Sequence, residues 1–156
     1  MAQELSTAGV LLKYAASASG TTRPTSGYVT VPCIKAIPDF NPEPESLEVT
    51  DLSDTTWRRY IPGLKDPGGA LAFTANLTTQ FKTAWGNLVT AYATALAGGK
   101  SMWFEIMVPN FGSFFFAGIP SELGMTGMDV NAVLEIEAYI TPNMVHGWDT
   151  SSTGSA

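Results

Sequence analysis

Residues 130–142, VNAVLEIEAYITP, alternate with period two. Ala132, Leu134, Ile136, Ala138 and Ile140 fall on one side, and Val133, Glu135, Glu137, Tyr139 and Thr141 on the other, which predicts a strand with one dry and one wet face. SMWFEIMVP (101–109) and SFFFAGIP (113–120) alternate in the same way and are joined by Asn110-Phe111-Gly112, so they predict a hairpin. ALAFTANL (70–77) predicts a further strand, GVLLKYAA (9–16) a short first one, and YVTVPCIKAI (28–37) an edge strand, because Pro32 donates no ladder hydrogen bond.

One segment changes period. In TTQFKTAWGNLVTAYATALAGG, Phe81, Trp85, Leu88, Val89, Tyr92 and Leu96 recur at i, i+4, i+7, i+8, i+11 and i+15, an apolar stripe on a helix over 79–97. Thr78 or Thr79 is the expected N-cap and Gly98-Gly99 the stop. Gly86 in its middle costs about 1 kcal/mol relative to Ala. The sum is a mainly β domain over 1–142, with two packed antiparallel sheets (a sandwich or half-barrel) and one flanking helix. Residues 143–156, NMVHGWDTSSTGSA, lose the pattern and are expected to form a partly flexible tail.

Between Pro38 and Pro67 the texture breaks. Five of the ten prolines lie there, and ten of the 22 acidic and basic residues. Only SLEVTDL (46–52) alternates well enough for a strand, so 38–69 is expected to be a long loop. Trp57, Tyr60, Ile61 and Leu64 are costly to leave in water, which points to a loop that docks on something.

Composition sharpens that expectation. The 156 residues suit one domain. Charged residues are 14%, against about 25% for typical soluble domains, and no apolar run approaches the ~18 residues of a membrane helix. Low charge without a membrane span suggests a surface much of which meets protein. The net charge of −6 sits in residues 101–156, which hold Glu105, Glu122, Asp129, Glu135, Glu137 and Asp149 and no Lys or Arg, so a basic groove for gripping nucleic acid is not expected there. Glu4 and Lys13 make the N-terminus read as a mature start, with no targeting segment. A lone Cys33 excludes an internal disulfide.

Catalytic patterns are sparse, and no enzymatic activity and no cofactor are expected. His146, the single histidine, falls in the tail, and Cys33 reads as a small apolar residue without the companions of a zinc site. Glu135 and Glu137 share a strand face at about 6–7 Å, and Glu105 on a neighbouring strand could approach them. Paired carboxylates can cleave glycosidic bonds, although a solvated sheet face accounts for these equally well.

LEVTDLSDTTWRRYIPGLKDPGGALAFTANL, following an acidic, Pro-containing segment and preceding a helix, resembles the major tail protein family of long-tailed bacteriophages. The resemblance covers about residues 28–142, and its motif portion (49–76) joins a T-D-x-x-D element to Y-I-P-G-L-x-D. It implies a tail-tube fold whose six copies make a ring, with rings stacked into a tube through which double-stranded DNA leaves the capsid. It also implies other tail partners: the tape measure, tail terminator and tail tip or baseplate proteins. The protein would be made in the bacterial cytoplasm, reside in the virion tail and engage no membrane. The long loop reaches a neighbouring subunit or ring in that family. Asp51 and Asp54 would then belong to an inter-subunit docking loop in which Arg58, Arg59, Lys65 and Asp66 make cross-subunit ion pairs and Trp57 and Tyr60 are buried anchors, and Glu105, Glu135 and Glu137 would line the DNA conduit. The alternatives are a tube of a contractile or type VI secretion-like system, or a monomeric carbohydrate-binding β-sandwich using Trp103, Tyr139 and Trp148.

Overall fold

A computed structural model describes residues 9–17, 22–41, 45–63 and 69–151. Its strands are β1 (Leu11–Ala16), β2 (Val29–Thr30), β3 (Ile34–Ala36), β4 (Ser46–Glu48), β5 (Tyr60–Pro62), β6 (Leu71–Asn76), β7 (Met102–Val108), β8 (Gly112–Pro120) and β9 (Glu135–Asp149), with a helix α1 (Thr79–Ala97) between β6 and β7. Seven strands form one antiparallel sheet in the order β2-β1-β7-β8-β9-β6-β3, and β4 and β5 form a separate two-stranded ribbon.

The connectivity forces the large sheet to curl. β2 and β3 are its opposite edges, yet only Val31, Pro32 and Cys33 separate them in sequence. Four residue steps reach at most about 14 Å, whereas the edges of seven flat strands lie about 29 Å apart. The sheet is therefore a half-barrel, as the expected fold class has it. The turn that ties its edges is made by Pro32 and by Cys33, which takes φ 66°. This is why the expected strand at 28–37 is split in two.

One face of the sheet closes on α1. Leu12, Leu71, Phe73, Ala75, Met102, Phe104, Phe116, Ile136, Ala138 and Ile140 join Phe81, Trp85 and Leu88 of the helix in a single buried cluster. Each large apolar side chain so buried contributes about 1.5–3 kcal/mol. The Trp85 indole N–H donates to the Ser121 carbonyl at 2.7 Å, which pins the helix to the chain after β8. Thr78 is the N-cap, its Oγ1 accepting the Phe81 N–H at 3.1 Å. At the other end Gly99 takes φ 71°, and the Lys100 N–H donates to the Ala95 carbonyl at 2.8 Å, closing the last turn. Of the predicted stripe, Leu96 is exposed and Ala95 is buried in its stead.

Two boundaries differ from the sequence reading. The last strand begins at Glu135, not Val130, because Asn131 takes φ 68° and Val130 and Val133 project into solvent. It then continues past Pro142 to Asp149, so residues 143–149, expected in a tail, pair with β8. Proline is tolerated there because Pro142 sits opposite Gly118 at a register shift, where the ladder is already interrupted. Gly118 is required at that crossing, since a Cβ would lie 2.9 Å from both Ile140 Cγ2 and the Thr141 carbonyl oxygen.

Candidate functional site

Two surfaces carry the residues singled out by sequence. The first is an arm, residues 45–63, built on the β4–β5 ribbon. Ser46, Leu47 and Glu48 pair with Pro62, Ile61 and Tyr60. The ladder is extended by the Val49 N–H to Arg59 carbonyl bond at 2.9 Å and the Gly63 N–H to Glu45 carbonyl bond at 2.9 Å. The long loop thus contains a second strand that no alternation announced.

At the arm's tip Asp51 and Asp54 fold the chain back. Asp51 Oδ1 accepts the Ser53 N–H at 2.8 Å, and Asp54 Oδ2 accepts the Asp51 N–H at 2.9 Å. Arg59 spans both carboxylates, donating Nε–H to Asp54 at 2.8 Å and Nη2–H to Asp51 at 3.2 Å. Asp51 is held below the usual carboxylate range first by the Ser53 hydroxyl and then by the Ser53 N–H, and Asp54 first by the Asp51 N–H and then by Arg59. Arg58 lies 3.7 Å from Glu48. The arginines expected to pair across subunits are therefore engaged inside the arm, because the ribbon brings residues 50 and 59 side by side. Lys65 and Asp66 lie outside the described residues.

Among the described residues little covers the arm's apolar side chains. Leu52 is 103% exposed and Trp57 81%, and Leu47, Tyr60 and Ile61 are about half exposed. The exposed ion pairs are worth only about 0–1 kcal/mol each. The ribbon is held by its ladder and its tip, not by a core.

The second surface is the face of the large sheet opposite α1, which divides into two parts. On β9 and β6 it is open: Glu135 accepts a hydrogen bond from Lys35 at 2.8 Å, and Glu137 accepts one from the Tyr139 hydroxyl at 2.8 Å. That bond to Glu137, more than anything else, raises the Tyr139 phenol above its usual range. Residues 124–127 and Thr74 border a shallow hollow over these glutamates.

On β1, β7 and β8 the same face is covered. Lys13 stands opposite Glu105 in register, both are buried, and Glu105 accepts a hydrogen bond from the Ser113 hydroxyl. Tyr28, Trp103 and Phe115 bury this region, and the Arg23 guanidinium lies 4.3 Å above the Phe115 ring. Glu105 consequently does not share a wet face with Glu135 and Glu137, as its alternation had suggested. Arg23 and Tyr28 pack against Phe115 beside it.

The three carboxylates do not converge, and the expected sugar platform does not form. Trp103 is buried, Tyr139 sits on the open part, and Trp148 packs edge-on against Phe111 and Phe114. His146 Nε2 meets Asp149 Oδ2 at 2.8 Å, and Arg23 reaches the same oxygen at 3.1 Å. Asp149 is lowered chiefly by the His146 hydrogen bond, then by the Thr150 N–H. This Arg23–Asp149–His146 group joins positions 126 residues apart in sequence, so no local signal marked it. Among the described residues no three His, Cys, Asp or Glu side chains converge as a metal site, and no helix is long and apolar enough to cross a membrane.

The fold has counterparts in tail-type particles. A chain of the six-fold-symmetrised cryo-EM baseplate of the anti-feeding prophage superposes with a TM-score of 0.63 at 9% identity, covering 94% of this chain and 97% of that one. A chain from the tail of an empty GTA particle, refined helically with C6 symmetry, superposes with a TM-score of 0.51 at 17% identity, covering 92% and 96%. At these identities the likeness is one of fold. No known family and no curated protein matches the sequence.

Proposed function

We propose that this protein is a non-enzymatic structural subunit of a phage-type tail, whose copies form six-membered rings that stack into a DNA-conducting tube. The observation that carries the reading is the end-to-end fold match, above 90% of both chains, with two particles described with six-fold symmetry. The arm supports it: a folded ribbon with its largest apolar side chains in water is an unfinished interface. In this reading the arm docks on a neighbouring subunit with Trp57 and Tyr60 as anchors. Glu135 and Glu137 face the duct, where the tape measure and then DNA pass, and terminator and tip proteins cap the stack.

Carboxylates suit a conduit. Two unit charges 10 Å apart in water interact by only about 0.4 kcal/mol, so a ring of glutamates repels phosphates weakly and evenly, whereas lysines would bind them one by one. Glu105, being fully buried within its own chain, has no place in that lining.

A second reading, a ring within a baseplate, is favoured by the higher of the two TM-scores. Negative-stain electron microscopy of the purified protein separates the two. Long six-fold tubes support the tube, and discrete rings that never stack support the baseplate. A monodisperse 16.6 kDa species at every concentration overturns both.

A further inference from the structure

We propose that the receptor for the arm is the outer face of α1 in a second copy of this chain. This rests on the self-assembly proposed above and names the acceptor, which that reading leaves open. The arm's described residues carry four carboxylates (Glu45, Glu48, Asp51, Asp54) against two guanidiniums (Arg58, Arg59), a net charge of −2. Arg59 serves both tip aspartates, so negative charge is left over at the tip, and Glu45 leaves more at the base.

The matching positive surface is α1. It contains no Asp or Glu, and Lys82 within it and Lys100, three residues past its end, are exposed cations that form no ion pair with any described residue. They flank the helix, Lys82 in its first turn and Lys100 just beyond the Gly98-Gly99 stop. The arm likewise carries acids at both ends, Glu45 at its base and Asp51 and Asp54 at its tip. The charges therefore correspond: tip acids to one lysine, Glu45 to the other.

Between the lysines the helix offers no charge. Gly86 is exposed, and a Cβ added there would meet nothing within 4 Å. Nothing among the described residues explains a glycine in mid-helix, and its bare backbone admits the close approach of a flat ring such as Trp57.

The test uses the full-length protein with a benzophenone amino acid at Thr56, beside an intact Trp57, in a mixture of isotope-labelled and unlabelled chains. Cross-links from residue 56 of one copy to residues 79–100 of another are expected. Gly86→Leu is expected to fold with equal or greater stability yet to weaken self-association at least tenfold. Cross-links confined to residues 121–134 or to the sheet edges, or a Gly86→Leu variant that associates as the parent does, overturn the helix as receptor. Six-fold tubes seen alongside that result leave the tube reading standing. Discrete non-tubular oligomers with helix cross-links uphold the receptor and sink the tube. A chain that stays monomeric overturns both.

Discussion

The arm and the sheet–helix core use the same kinds of side chain to opposite ends. Trp85 is 1% exposed and Trp57 is 81% exposed, the first inside α1 and the second in the return limb of the arm just before β5. In the core, backbone order is repaid by apolar burial. In the arm it is maintained by a ladder, two aspartates and an arginine, while the burial energy of Leu52 and Trp57 is unrealised. The difference indicates which residues hold the subunit together and which are kept for a partner.

Removing a core ring tests the first half of this contrast. Phe73→Ala or Phe116→Ala, each fully buried, is expected to cost about 3–5 kcal/mol in urea unfolding. A loss below about 1 kcal/mol would mean that the half-barrel is not the stabilising unit. Gly118→Ala follows at about 1–3 kcal/mol, since its Cβ meets backbone and cannot be accommodated by a rotamer change. A mutant as stable as the parent would refute the tight β8–β9 crossing.

The covered part of the sheet is sharpened by pH. Burial is the first cause that lifts the Tyr28 phenol from 10.0 to about 12, with Arg23 opposing it. Because the folded-state value lies above the unfolded one, this contribution is intact below pH 10 and is lost as pH rises toward about 12. A stability profile flat through pH 9 and falling between pH 10 and 12 is expected, with tyrosinate absorbance from Tyr28 appearing only at the upper end. Tyr28→Phe removes its hydrogen bond to the Pro24 carbonyl, at 2.9 Å, for about 1 kcal/mol, and should flatten that fall. A fall of equal size in Tyr28→Phe would assign the effect elsewhere.

The smallest stability change belongs to the arm. Trp57→Ala is expected to leave unfolding within about 0.5 kcal/mol of the parent while weakening self-association at least tenfold by sedimentation. Loss of stability without loss of association would reverse the comparison.

The helix and its caps, the 101–120 hairpin and the strand at 70–77 were legible because each is encoded by neighbours within a few turns or pleats. The end of β9 was not. Residues 143–149 are paired by β8 across two register shifts, and with Met144, Val145 and Trp148 half in water no clean alternation survives. The ribbon was half legible: 46–52 alternates, but Tyr60–Pro62 is three residues long and contains a proline. The candidate residues were found by type, but their partners within the chain were not. Arg59 belongs to Asp51 and Asp54 of its own arm, and Glu105 is buried in a way that no periodicity can foretell.

By itself the sequence determined most of the strands and the helix, where the helix starts and stops, and that charge gathers in one apolar-tipped segment. These follow from local sterics and from the two periods of side-chain direction. Only the tertiary structure decided that residues 31–33 tie the sheet's edges into a half-barrel, that Glu105 is sheltered while Glu135 and Glu137 are open, and that the arm's arginines are spent at home. Such outcomes depend on which distant segments meet, and burial and ion pairing are properties of the meeting, not of either segment alone.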